Sequence, residues 1–168
     1  GLNVGYMSWT MGAKVIRAYE KENGVNVPWT LLIHLDTPTD KPLNLSELVR
    51  QGQALGIYTY FVFVGNAAAN LDDILHVAAQ YASSAFLLLA GDEATNQRMA
   101  ENDALSPNTV FVPRGGGEGY NSISEMLAQK KRMFGLNCEY NATNAEFLLS
   151  DAFLETVTAQ GYPFLFLI

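Results

Sequence analysis

The sequence predicts an α/β domain built as a (β/α) barrel, or most of one, with about seven parallel strands and six helices. Three observations carry that expectation. Short apolar runs rich in β-branched and aromatic residues recur along the 168-residue chain, with helical patterns between them. Successive runs start roughly 25–30 residues apart, the length of one strand, one helix and two short loops. Hydrophobic residues make up 49% of the chain against 16% charged, the balance of one packed domain over residues 1–168 and the reverse of a disordered chain.

Strict alternation of strand and helix requires a mostly parallel sheet with crossover helices on its faces. A closed barrel needs eight units, so seven strands leave it short of part of one. An open doubly wound parallel sheet closes with any strand number and is the alternative. The near-constant period favours the barrel, because open sheets vary their crossovers more.

The elements follow in order. Residues 2–9 read as a strand, and a helix over 11–23 ends at Asn23-Gly24, which fits a left-handed cap. The strand over 29–36 contains Leu31-Leu-Ile-His-Leu-Asp36. Asn44 or Ser46 caps the helix over 45–55, and Gly56 ends it. A strand over 57–64 precedes a helix over 69–82, capped by Asn70 or Asp72. A strand over 85–90 leads into a helix over 93–102, and a strand over 109–113 into a helix over 119–131. The last turn of that helix holds Lys130, Lys131 and Arg132, where the helix dipole favours cations. A strand over 133–139, a helix over 143–160 and the apolar strand 163–168 complete the pattern.

Charge and composition exclude several functions. Seventeen Asp and Glu against ten Lys and Arg leave a net charge of −7, which disfavours a nucleic-acid partner held by its phosphates. Apolar runs of about 5–8 residues fall far short of the roughly 20 needed to span a bilayer. The single cysteine, Cys138, excludes an internal disulfide and a Cys-rich zinc site. No basic segment followed by an apolar run opens the chain, so the sequence reads without a signal peptide and as cytoplasmic or extracellular. Its Gly1 start and apolar final strand read as a piece of a longer protein, with a protein partner expected at the chain ends.

In either architecture ligands bind at the carboxyl ends of the strands. The residues closing each strand are therefore the candidates. His34 and Asp36 lie on one face of a strand that otherwise reads as core, where burial is costly unless the pair is satisfied or used. They read as a general base with a neighbouring acid, as metal ligands, or as a satisfied strand-end pair beside an Asp36-Thr37-Pro38 turn. Glu139 and Asn137 share a face of the sixth predicted strand and suit a metal ion, a sugar hydroxyl or plain loop hydrogen bonds. Asn66 and Asp92 close two further strands as candidate substrate contacts, with helix capping the other use of Asp92. Arg114 precedes Gly115-Gly-Gly-Glu-Gly119, a loop that could bring backbone amides and a guanidinium fork to an anion, or simply be mobile. A divalent cation, Ca²⁺ or Mg²⁺, held by His34, Asp36 and Glu139 is the expected cofactor.

The stretch Gly135-Leu-Asn-Cys-Glu-Tyr-Asn141, with Ala145-Glu-Phe-Leu-Leu149 and Ala159-Gln-Gly-Tyr-Pro-Phe-Leu-Phe166, resembles the last units of glycerophosphodiester phosphodiesterases. Leu31-Leu-Ile-His-Leu-Asp36 looks like that family's strand bearing a metal-binding acid and a lysine, and Leu48-Val-Arg-Gln-Gly-Gln-Ala-Leu-Gly56 is similar to its helices. The family's opening His-Arg-Gly turn, acidic pair and second catalytic His have no counterpart here, and His34 and Asp36 stand at the acid and lysine positions. The resemblance implies a phospholipase-C-like (β/α) barrel of hydrolase ancestry. Such a barrel would be expected to act on a small phosphodiester or sugar-containing substrate. His34 and Asp36 would then be base and ligand, Glu139 a second acid or ligand, and Arg114 an anion clamp. The other readings are a non-catalytic binding or assembly domain of a larger surface or viral protein, and an open-sheet ligand-binding domain using the Gly115–Gly119 loop.

Overall fold

A computed structural model describes residues 5–35, 43–65, 71–103, 106–115 and 120–168. A π-helical segment, Met7–Gly12, runs straight into α1 (Ala13–Asn23). There follow β1 (Thr30–His34), α2 (Leu45–Ala54), β2 (Thr59–Val64), α3 (Leu71–Gln80), β3 (Ala85–Ala90) and α4 (Glu93–Glu101). Next come β4 (Thr109–Val112), α5 (Tyr120–Gln129), β5 (Leu136–Cys138), α6 (Ala145–Leu148), α7 (Asp151–Ala159) and β6 (Leu165–Leu167).

The strand expected over 2–9 is a correction, because the backbone is helical from Gly5 onward. Its aromatic residues imitate strand composition, but the segment buries Gly12, Ala13 and Ile16, a spacing of three and four that only a helix presents on one side. The helix expected over 143–160 is broken. Ser150 adopts an extended backbone and its Oγ accepts a hydrogen bond from the Phe153 amide, starting α7 afresh.

Strands β1 to β4 form one parallel sheet in sequence order, and β5 pairs with β6, also in parallel. Two parallel bridges, Phe111 to Phe134 and Arg114 to Asn137, hold β5 beside β4. The described strands therefore succeed one another in chain order without reversal. A doubly wound sheet requires such a reversal, so that alternative is not followed here. The strands number six among the described residues, and β1 and β6 do not pair, so the sheet is not closed.

One face of the sheet takes the helices. Tyr60, Val62 and Val64 align with Phe86, Leu88 and Ala90, and Leu88 in turn with Phe111. All are buried, packed with Ile16 of α1, Val49 of α2, Ile74 of α3, Met99 of α4 and Leu127 of α5. Helices gathered on a single face make a singly wound sheet, which must curl. The curl is seen directly: the ring of Phe61, on the other face of β2, meets Phe166 of β6 edge-on with centroids 5.5 Å apart. A smaller cluster, Leu136, Cys138, Leu148, Phe153 and Val157, sits behind β5 and β6. Among the described residues no helix is long and apolar enough to cross a membrane.

Candidate functional site

The curled sheet brings its carboxyl ends together around a cavity of about 150 Å³. Phe63, Gly91, Arg114, Asn137, Glu139 and Ile168 line it, so the ends or C-terminal flanks of five successive strands, β2 to β6, contribute. A roomier cavity of about 290 Å³ lies between α2, α3 and the end of β1, lined by Ser46, Asp73 and Val77 among others. No convergence of strand ends marks it, and the smaller cavity is the better candidate.

Arg114 is the centre of the rim. Its Nη1 donates to the Gly91 carbonyl at 2.7 Å and its Nη2 to Glu139 Oε2 at 2.5 Å. The pair faces water, with side-chain exposures of 44% for Arg114 and 64% for Glu139, so it adds little to stability and is open to a ligand. The backbone beneath is fixed from behind. Fully buried Asn96 of α4 accepts from the Arg114 amide at 2.8 Å and donates to the Arg114 carbonyl at 2.9 Å. Next to it, buried Thr95 donates its hydroxyl to the Gly65 carbonyl just past β2, at 3.0 Å. Helix α4 thus ties the ends of β2 and β4 to one another.

Asn137 is buried, and its amide donates to the Val112 carbonyl at 2.6 Å and the Ala90 carbonyl at 3.3 Å. Its nitrogen is engaged in stitching β5 to β4 and β3. Asp92 caps α4, its Oδ1 accepting from the Thr95 amide at 2.7 Å. His34 ends edge strand β1, exposed, and stacks on Phe63 with centroids 4.1 Å apart and planes 15° from parallel. It lies one ring away from the cavity that Phe63 lines. Asp36, Asn66 and Gly116–Gly119 lie outside the described residues.

The structure thus brings together Arg114, Asn137 and Glu139, sets His34 behind Phe63, and gives Asp92 a capping role. Among the described residues no three His, Cys, Asp or Glu side chains group to hold a metal ion. The donor set also suits Ca²⁺ or Mg²⁺ poorly. These ions favour clustered oxygen ligands, whereas Glu139 is engaged by a guanidinium and His34 offers nitrogen. Cys138 turns into the smaller apolar cluster, where burial pushes its thiol above the ordinary value and away from nucleophilic use.

Sequence reasoning missed Thr95 and Asn96. The available signal was the polar run Glu93-Ala-Thr-Asn-Gln97 opening a helix that must pack on a sheet. Comparison with known protein-family models finds no match, and comparison with curated protein sequences finds none either.

Proposed function

We propose that the chain is an arc of a (β/α) barrel whose rim binds and hydrolyses a small phosphodiester or sugar-containing substrate. The observation that carries this reading is the cavity ringed by strand ends and polarised by the Arg114–Glu139 pair. The contact of Phe61 with Phe166 supports the barrel. In a ring of strands in sequence order, β2 faces β6 when four steps separate them on either side, which makes eight strands and leaves two to be supplied between β6 and β1. Side chains from alternate strands meet in layers in such barrels, as these two even-numbered strands do. The likeness to glycerophosphodiester phosphodiesterases belongs to the same proposal.

In this reading Arg114 binds a substrate oxygen and Glu139 takes the proton of the attacking water, with His34 at the end of β1 and, two residues on in sequence, Asp36 assisting. The test is release of nitrophenolate from bis(p-nitrophenyl) phosphate and from p-nitrophenyl glycosides. The native chain should turn over at least one, and Glu139→Gln should lower the rate by about 100-fold or more. No turnover of either class, or an unaffected variant, would reject hydrolysis.

The edges of β1 and β6, which pair with no further strand among the described residues, favour a second reading, an assembly domain. Leu32 on β1 is 61% exposed, and Phe164 and Ile168 flanking β6 are 40% and 44% exposed. Such edges are templates for strand addition by another chain. Sedimentation velocity over a wide concentration range separates the two. Self-association abolished by Leu32→Lys supports assembly, and a monomer throughout argues against self-assembly.

A further inference from the structure

We infer that the rim cavity selects a neutral, hydroxyl-rich ligand, a sugar or polyol, over a free anion; this rests on the rim being the binding site and narrows the substrate class proposed for it. Arg114 is the cation among the described residues that line the cavity, and its charge is already answered. Glu139 Oε2 accepts from its Nη2 at 2.5 Å, and the Gly91 carbonyl accepts from its Nη1 at 2.7 Å. An anion entering between the two side chains meets a carboxylate and a guanidinium at similar distances, and attraction and repulsion largely cancel.

Among the described residues, the other source of anion affinity nearby is also engaged. The N-terminus of α4 begins two residues past Gly91, and a helix start is a ready anion seat. Here the Asp92 carboxylate already occupies the Thr95 amide. The chain as a whole carries a net charge of −7.

A hydroxyl meets the same pair differently. It donates to a Glu139 oxygen and accepts from an Arg114 N–H that the two contacts above leave over, since a guanidinium has five. Neighbouring hydroxyls can use both partners without separating them. Phe63 and Ile168 supply apolar wall for the C–H face of such a molecule. Asn96 holds the Arg114 backbone at both N and O, so the fork is in place before a ligand arrives.

Two-dimensional ¹H–¹⁵N spectra of the full chain test this, with methyl α-D-glucopyranoside, glycerol and inorganic phosphate as separate probes. The expected result is saturable shifts at the Arg114, Gly115, Asn137 and Glu139 amides with glucoside or glycerol and none with phosphate. Glu139→Gln should weaken the polyol by about tenfold and let phosphate in at the same amides. Phosphate binding the native rim more tightly than either polyol overturns this inference and leaves the rim as the binding site. So does a Glu139→Gln chain with unchanged polyol affinity. Silence of the rim amides toward all three probes overturns the inference and the rim reading together. Retained dispersion of the variant spectra shows whether the variant is folded.

Discussion

Arg114 owes its position to a side chain that never meets solvent. Asn96 satisfies both the amide and the carbonyl of Arg114, and replacing it with alanine strands two polar groups at the edge of the core. Asn96→Ala should lower the unfolding free energy by about 2–3 kcal/mol, read from the urea midpoint at unchanged slope. An unshifted midpoint would mean that water replaces the amide without loss. Arg114 and Glu139 were legible because each follows an apolar run, and charge there needs a partner or a use. Asn96 was not, because the apolar period of a helix does not tell which of its polar residues turns inward. Asn137 was legible as a position but not as a role, since its two carbonyl acceptors belong to β3 and β4, far away in sequence. Alkaline stability is decided at single residues too. Burial raises the Tyr60 phenol above its ordinary 10.0 and the Cys138 thiol above its ordinary 9.0. The unfolded chain therefore loses these protons first. The stability they contribute is complete below the ordinary values and is lost as pH rises through them toward the raised ones. The urea midpoint should fall between neutral pH and about pH 10.5, and the double variant Tyr60→Phe, Cys138→Ala should flatten that fall. An equally steep decline in the double variant would assign it to other groups.

Elements were read correctly wherever the apolar period was unmixed, and misread where composition and period disagreed. Every observed strand, β1 to β6, was anticipated, because buried parallel strands are short apolar runs bounded by turns. The opening segment failed because Tyr6, Met7 and Trp9 carry strand composition on a helical period. Its helical nature has a packing reason. Gly12 crosses Gly56, the residue at φ +90° between α2 and β2, so closely that a Cβ on Gly12 would strike the Gly56 carbonyl oxygen. A β-carbon on Gly5, in the same helical stretch, would meet nothing within 4 Å. Alanine is the better helix former by about 1 kcal/mol at either place. Gly5→Ala should therefore raise the melting temperature slightly, whereas Gly12→Ala should lower stability by about 1–3 kcal/mol as the crossing is forced apart. If both variants gain stability, the crossing is loose. The break at Ser150 was hidden because Ser150 carries no Gly or Pro signal, only a hydroxyl that competes with the helix for the Phe153 amide.

At the scale of the molecule, the even strand period favoured sequential order and curl but did not fix either, because both depend on which side every crossover takes. That all take the same side appears only in the register, where Tyr60, Phe86, Val62, Leu88 and Phe111 share one face. The result is uneven. The cluster under β1 to β4 holds 22 buried residues, and the one behind β5 and β6 holds 5, among the described residues. Tyr162 packs against both, and its ring meets Phe134 edge-on at 5.5 Å, while Asn137 ties β5 to its neighbours through two carbonyls. Those ties, with three backbone hydrogen bonds from Gly135 to Phe111, Asn137 to Pro113 and Gly115 to Asn137, make a shorter join than the ladders of five and six paired positions linking β1 to β2 and β2 to β3. Opening of the β5–β6 portion exposes the smaller cluster and leaves the larger one intact, so it should occur below the global unfolding free energy. Native-state hydrogen exchange should then show β5 and β6 amides protected by at least about 2 kcal/mol less than those of β2 and β3. Equal protection across all six strands would mean that the two clusters unfold as one. Occupation of the seam between β6 and β1 by further strands would remove the difference, since β6 would gain a second ladder. Exchange measured at low and at high chain concentration therefore also reports whether another copy fills that place.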